Sequence, residues 1–130
     1  MISITAKSPY AVSALVELHR LGDSAPVPIA ELARRRQIPV QFLEQLFATL
    51  RRAGVLRSQR GVKGGYSFER PSTEVTVLEV VELLDGPLGQ GASGLFSEAA
   101  RAASSVLASA TIAAVAEREL RSAGAAMYQI

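Results

Sequence analysis

Residues 39–66 read PVQFLEQLFATLRRAGVLRSQRGVKGGY, and the fold class is decided there. After Pro39, the apolar residues Phe42, Leu43, Leu46, Phe47 and Leu50 recur at i, i+1, i+4, i+5 and i+8, the spacing of one buried helix face. Gly54 stops that helix. Val55 to Gln59 and Tyr66 to Arg70 then flank the Gly-rich stretch Arg60-Gly61-Val62-Lys63-Gly64-Gly65, the pattern of a β-hairpin with a basic tip.

Working back towards the N-terminus, Ile29, Leu32 and Ala33 form the inner face of a short helix that ends in Arg34-Arg35-Arg36. The turn at Gln37-Ile38 joins it to the helix after Pro39, so the pair reads as a helix-turn-helix and the hairpin as its wing. Before it, Ser8-Pro9 reads as an N-cap followed by proline at the first helical position. Ala11, Val12, Ala14, Leu15, Leu18 and Leu21 continue at helical spacing until Gly22-Asp23-Ser24.

Towards the C-terminus, Thr76 and Glu79 form a Thr-x-x-Glu capping box, and Gly86-Pro87 ends the helix behind it. Residues 86–94, with four glycines, read as a flexible hinge loop. From Leu95 to Ser122 the chain is Ala-rich and free of Pro and Gly, the composition of a single long helix. Such a helix outgrows so small a domain, and a symmetric dimer would bury it. The alternative is that it folds back on its own domain. The expected organisation is a winged helix-turn-helix domain over 1–85, a hinge over 86–94, a dimerisation helix over 95–122 and a tail over 123–130, mainly α with one small β-hairpin. Leu95, Val106, Leu107, Ile112, Val115 and Leu120 are the candidate dimer contacts.

Charge is divided along the chain. Residues 1–70 carry eleven basic against five acidic side chains, a net of +6, whereas residues 71–130 carry three against seven, a net of −4. The basic half is the one suited to a polyanion. With the apolar stripe of the second helix of the motif turned inward, Gln41, Glu44 and Gln45 face out near its N-terminus, where recognition helices reach base edges. Gln can pair with adenine in bidentate fashion and Glu can accept from the cytosine amino group. Arg34, Arg35, Arg36, Arg51, Arg52 and Arg57 are placed to contact phosphates, which give affinity without sequence choice. Arg60 and Lys63 at the wing tip suit a minor groove, with Gly61, Gly64 and Gly65 serving the turn and close approach to the backbone.

Other chemistries find little support. The chain has no cysteine and one histidine, His19, so disulfides, thiolate nucleophiles and cysteine-ligated metals are excluded and no cofactor is expected. No catalytic residues are visible: the serines lack a partner by spacing, and Glu79, Glu82 and Asp85 read as a solvated helix face. No apolar run approaches the ~20 residues that span a bilayer, and no secretion signal is visible, so cytoplasm is the expected location.

Taken together, Phe42-Leu43-Glu44-Gln45-Leu46-Phe47, the following Arg51 to Leu56, and Arg60-Gly61-Val62-Lys63-Gly64-Gly65-Tyr66 resemble the Rrf-type winged-helix regulators, the family of IscR, NsrR and CymR. The family typically shows Leu-Glu-Gln-Leu-Phe and then Arg-Gly-x-x-Gly-Gly-Tyr. Lys7, Tyr10 and the stretch Glu82 to Pro87 also match, which adds Lys7 and Tyr10 to the phosphate-contact candidates. The resemblance implies a homodimer with long helices crossed between subunits on a palindromic site near promoters, Glu44 helping to select the site and Arg60 entering the minor groove. One departure is pronounced: cluster-binding members carry three cysteines before the long helix, where Gly89 to Glu98 has none. Ser8-Pro9 also stands where the family has Gly and a basic residue. The expected function is a transcription factor, a repressor, without an iron–sulfur cluster. The alternatives are a regulator governed by a protein partner through the Ala-rich helix, or a small-molecule sensor.

Overall fold

Phe47 is wholly buried, and the fold assembles around it. The computed structural model describes residues 4–22 and 25–128, with side chains as far as Gly124. In chain order the elements are α1 (Lys7–Leu21), α2 (Ile29–Arg36), α3 (Val40–Arg52), β1 (Leu56–Gln59), β2 (Gly65–Phe68), α4 (Val77–Asp85), α5 (Leu95–Ala108) and α6 (Ile112–Tyr128). The buried face of α3 is Leu43, Leu46, Phe47 and Leu50, the stripe its periodicity predicts. It packs on Leu15 and Leu18 of α1, Leu32 of α2, and Val55 and Leu56 at the start of the hairpin. Burying a side chain of this size stabilises by about 1.5–3 kcal/mol, so these contacts fix α2 and α3 to one scaffold.

The turn between α2 and α3 depends on Gln37, which holds φ at 56°. Its left-handed backbone ends α2 and lets Ile38 bury beneath, with Ile38 N–H donating to Ala33 O at 2.9 Å. β1 and β2 pair antiparallel with Gln59 opposite Gly65 and Leu56 opposite Phe68. The hairpin has a further anchor that the sequence does not announce. Val27 and Tyr66 exchange two backbone hydrogen bonds, 2.9 and 2.8 Å, and the Tyr66 ring meets Phe47 edge-on at 5.1 Å.

At the N-terminus, α1 begins at Lys7, so Ser8 lies inside its first turn and is not the cap. Its buried hydroxyl donates to Asp85 at the end of α4, as does the Thr5 hydroxyl, each at 2.5 Å. Asp85 is thus a tie between two helix ends and not part of a freely solvated acidic face. The capping box is half formed. Glu79 N–H donates to Thr76 Oγ1 at 3.1 Å, but the Glu79 carboxylate turns away to Arg70 at 2.5 Å. The pairing with Glu79 holds the Arg70 guanidinium above its ordinary pKa.

The expectation of one helix over 95–122 is corrected. The chain breaks at Ser109-Ala110-Thr111. Ser109 Oγ bonds back to Val106 O at 2.6 Å and closes α5, while Thr111 Oγ1 accepts Ala114 N–H at 3.1 Å and opens α6. Between them the backbone pairs with the segment before α4: Val77 N–H donates to Ala110 O, and Ile112 N–H to Val75 O, both at 2.9 Å. Tertiary pairing outweighs the helical propensity of an Ala/Ser-rich run. Helix α6 then folds back on α1, burying Ile112 and Ala116. Residues 123–128 continue α6 and are not a separate tail; 129 and 130, like Asp23 and Ser24, lie outside the described residues.

The loop over 86–94 is also more structured than its glycine content suggests. Ala92 N–H donates to Gly89 O at 2.8 Å, and a Cβ on Gly89 would stand 2.5 Å from Ala100 Cβ. Glycine is needed there for both its φ of 79° and its contact with α5.

Candidate nucleic-acid interface

Burial of one face of α3 fixes what the other presents. Gln41, Glu44 and Gln45 are all exposed, and their side chains have no hydrogen-bond or ion-pair partner among the described residues. Further along, Arg51 and Arg52 are exposed, with Arg52 donating to Thr49 Oγ1 at 3.3 Å. Arg57 on β1, and Arg60 and Lys63 at the wing tip, are exposed as well. Among the described residues no carboxylate pairs with any of these cations. Lys7 joins them from α1. It lines a shallow depression of about 170 Å³ with Gln45 and Thr49. Tyr10 is partly exposed and braced edge-on against Phe42 at 5.6 Å.

The wing glycines divide by role. Gly61 stands exposed at the tip. Gly64 and Gly65 do not reach outward: a Cβ on Gly64 would strike the backbone of Gln59, and one on Gly65 the backbone of Val27. Gly64 closes the tip turn within the hairpin, and Gly65 seats the hairpin against the domain.

The basic run closing α2 separates in the same way. Arg34 is 68% exposed but bonded to Glu31 at 2.7 Å. Arg35 bonds Glu31 at 2.7 Å and approaches Glu17 at 3.4 Å. Hydrogen bonds from Arg34 and Arg35 hold the Glu31 carboxyl below the usual range. Arg36 points inward and only 15% of its side chain is exposed. It bonds Glu17 of α1 at 2.9 Å and both carboxylate oxygens of Glu119 of α6 at 3.1 and 3.3 Å. Arg36 is therefore a clamp between three helices and cannot serve as a phosphate contact; the signal for this was Glu17, a charge set in the apolar run Val16-Glu17-Leu18.

The candidate dimer contacts divide too. Ile112 is fully buried and Val115 packs on the core, so both belong to the chain's own core. Leu107 is half-buried, whereas Leu95, Val106 and Leu120 are exposed. Leu95 and Val106 share a face of α5 with Ala99 and Ala102, which are also exposed; the spacing i, i+4, i+7, i+11 keeps all four within roughly 60° of arc. Phe96, next to that stripe, is 67% exposed and joins the surface.

A helix-turn-helix whose outward residues are polar, followed by a hairpin with an exposed cationic tip, is a DNA-reading arrangement. The sequence model of the Rrf2 family, described as an iron-dependent transcriptional regulator, matches residues 4–118. The chain belongs to the Rrf2 family. It is 37% identical over 95 residues to the HTH-type transcriptional regulator IscR of Photorhabdus laumondii, covering 70% of this chain and 58% of that protein. To IscR of Escherichia coli it is 37% identical over 82 residues, covering 63% and 51%. The chain thus spans about half the length of the curated relatives it matches. Among solved structures it is similar to T. potens IscR, with a TM-score of 0.79 and 29% identity over 91% of this chain and 88% of that one. It is also similar to CymR, the global cysteine regulator of B. subtilis, with a TM-score of 0.81 and 26% identity over 91% and 98%. These Rrf2 relatives are transcriptional regulators and not enzymes.

The iron dependence in the Rrf2 description does not fit the residues present here. The chain has no cysteine, and His19 Nδ1 is engaged with Ser72 Oγ at 2.7 Å. Among the described residues no three His, Asp or Glu side chains are gathered as a metal site would require. No described helix is long and apolar enough to cross a membrane.

Proposed function

We propose that this Rrf2 protein is a cytoplasmic, homodimeric, sequence-specific repressor that reads a palindromic operator without an iron–sulfur cluster. The observation that carries the reading is the exposed, unpartnered face of Gln41, Glu44 and Gln45 beside a wing whose Arg60 and Lys63 face no carboxylate. Gln41, Glu44 and Gln45 enter the major groove and select bases. Arg51, Arg52, Arg57, Lys7 and Tyr10 hold the phosphate backbone, and Arg60 and Lys63 enter the minor groove.

The dimer rests on α5. Its stripe of Leu95, Ala99, Ala102 and Val106 has apolar ends and small residues between, so a second copy of the helix can approach closely. Joining two protomers there fixes the distance between two α3 helices, and half-sites then fall one DNA turn apart or a multiple of it. A signal acts by shifting α5 or residues 86–96, where Gly89 meets Ala100, and so changes that distance.

The test is selection of duplexes from a random-sequence pool, followed by sedimentation of the purified complex. The expected result is a palindromic sequence binding two chains per duplex, with Val106→Glu yielding monomers that lose operator binding. Recovery of a single asymmetric site bound by one chain would refute the dimer.

A further inference from the structure

The tip of the wing carries one residue that the DNA-regulator reading leaves without a task. Gly64 N–H donates to Gly61 O at 3.0 Å and closes a turn with Val62 and Lys63 at its two corners. Val62 is 104% exposed, so nothing in the protein covers any part of it. Scattered surface valines need no explanation, but turn corners favour Gly, Asn, Asp and Ser, and a β-branched apolar residue is an unfavoured choice there. This one stands between Arg60 and Lys63 at the tip of a hairpin that Val27 and Tyr66 tie to the domain and whose Gly65 packs on the Val27 backbone.

Resting on the proposal that the wing enters a minor groove, we propose that Val62 is a specificity-determining residue that packs on the groove floor and excludes the guanine 2-amino group. Arg60 and Lys63 draw the tip to the narrow, most negative stretches of the groove. The floor there presents only acceptors at A·T pairs, and G·C pairs add the 2-amino donor. An isopropyl group covers the acceptors of both surfaces alike. Over G·C it also meets the projecting 2-amino group, whose donor it cannot satisfy, and that further unmade hydrogen bond is costly. Val62 therefore adds A·T preference at base pairs that α3 does not touch, while the two cations add affinity.

The experiment uses an operator selected by the full chain, with the base pairs under the wing located by interference from minor-groove adenine methylation. Those pairs are replaced by G·C, or by inosine·C, which keeps most of the major-groove pattern of G·C but lacks the 2-amino group. Fluorescence anisotropy should show G·C weakening binding about tenfold, the scale of one mismatched pair, and inosine·C restoring it to within about twofold. In Val62→Ser, whose hydroxyl can accept from the amino group, the G·C penalty should fall below about threefold with no change in melting temperature. If Val62→Ser keeps the full penalty, or inosine·C binds as weakly as G·C, the role of Val62 is overturned. If no sequence is enriched at all, the DNA-regulator reading falls with it.

Discussion

Two groups of arginines of similar composition meet opposite fates in this protein. Arg34, Arg35 and Arg36 close α2 and are engaged by Glu31, Glu17 and Glu119. Arg51, Arg52, Arg57 and Arg60 lie on α3 and the wing and meet no carboxylate among the described residues. The difference shows that a basic run in the sequence does not by itself leave its cations unpaired. What distinguishes the groups is which acidic residues the fold carries to them, and Glu17 and Glu119 arrive from α1 and α6, helices distant in sequence. The cations that meet no carboxylate lie on α3 and the wing, where a polyanion can neutralise them.

The comparison breaks most visibly at Arg36. Replacing it with Ala leaves the largely buried Glu17 with only the longer contact to Arg35 at 3.4 Å, and removing one member of a buried pair is strongly destabilising. Chemical denaturation of Arg36→Ala should show a loss of about 3 kcal/mol. The salt dependence of DNA binding by the folded fraction should be unchanged. A reduced salt slope with full stability would place Arg36 on DNA and undo the distinction.

For the second group the expected pattern is reversed. Arg51→Gln and Arg57→Gln should each weaken binding to all DNA sequences alike. Each should also reduce the slope of log K against log salt by about 0.9, the value for one lost phosphate contact, and leave the melting temperature in place.

A smaller effect sharpens the contrast between inward and outward charges through Asp85. Burial opposes its ionisation, but hydrogen bonds from Ser8 and Thr5 and the charge of Lys7 outweigh that, and its pKa falls below the ordinary carboxylate value. Because the folded-state pKa is the lower one, its contribution is fully present above the unfolded value and is lost as pH falls through the folded one. Denaturation midpoints measured below about pH 4 should therefore decline more steeply for the parent than for Ser8→Ala. At neutral pH that variant should be less stable by about 1 kcal/mol.

The smallest expected effect is at Arg34, which is exposed and pairs with Glu31 on its own helix. Exposed pairs of this kind contribute little. Arg34→Gln should change neither the melting temperature nor the salt slope measurably; a slope reduced by about 0.9 would return Arg34 to the phosphate contacts.

The sequence made some of this legible and concealed the rest for physical reasons. The apolar stripe of α3, the Gly-rich hairpin and the exposure of Gln41, Glu44 and Gln45 follow from local periodicity, which the core reproduces. The break at Ser109-Ala110-Thr111 does not. No Gly or Pro marks it, and it arises from pairing with Val75 and Val77; Thr111 as a cap was the one local sign. The fates of Ile112 and Val115 follow from that break, because α6 turns back and packs them into the core of its own chain. Ser8 shows the same limit. As Ser-Pro it has the local chemistry of a cap, and only the arrival of Asp85 from α4 gives it a different partner.

In the proposed complex α3 reads bases while the cations that meet no carboxylate hold phosphates. This division is tested most directly by replacing Gln41, Glu44 and Gln45 together with Ala and measuring anisotropy on the selected operator and on random DNA across salt concentrations. The parent should prefer the operator by about a thousandfold or more. In the triple variant the two duplexes should bind almost equally, with the steep negative salt slope retained. A triple variant that still prefers its operator a thousandfold would contradict that division.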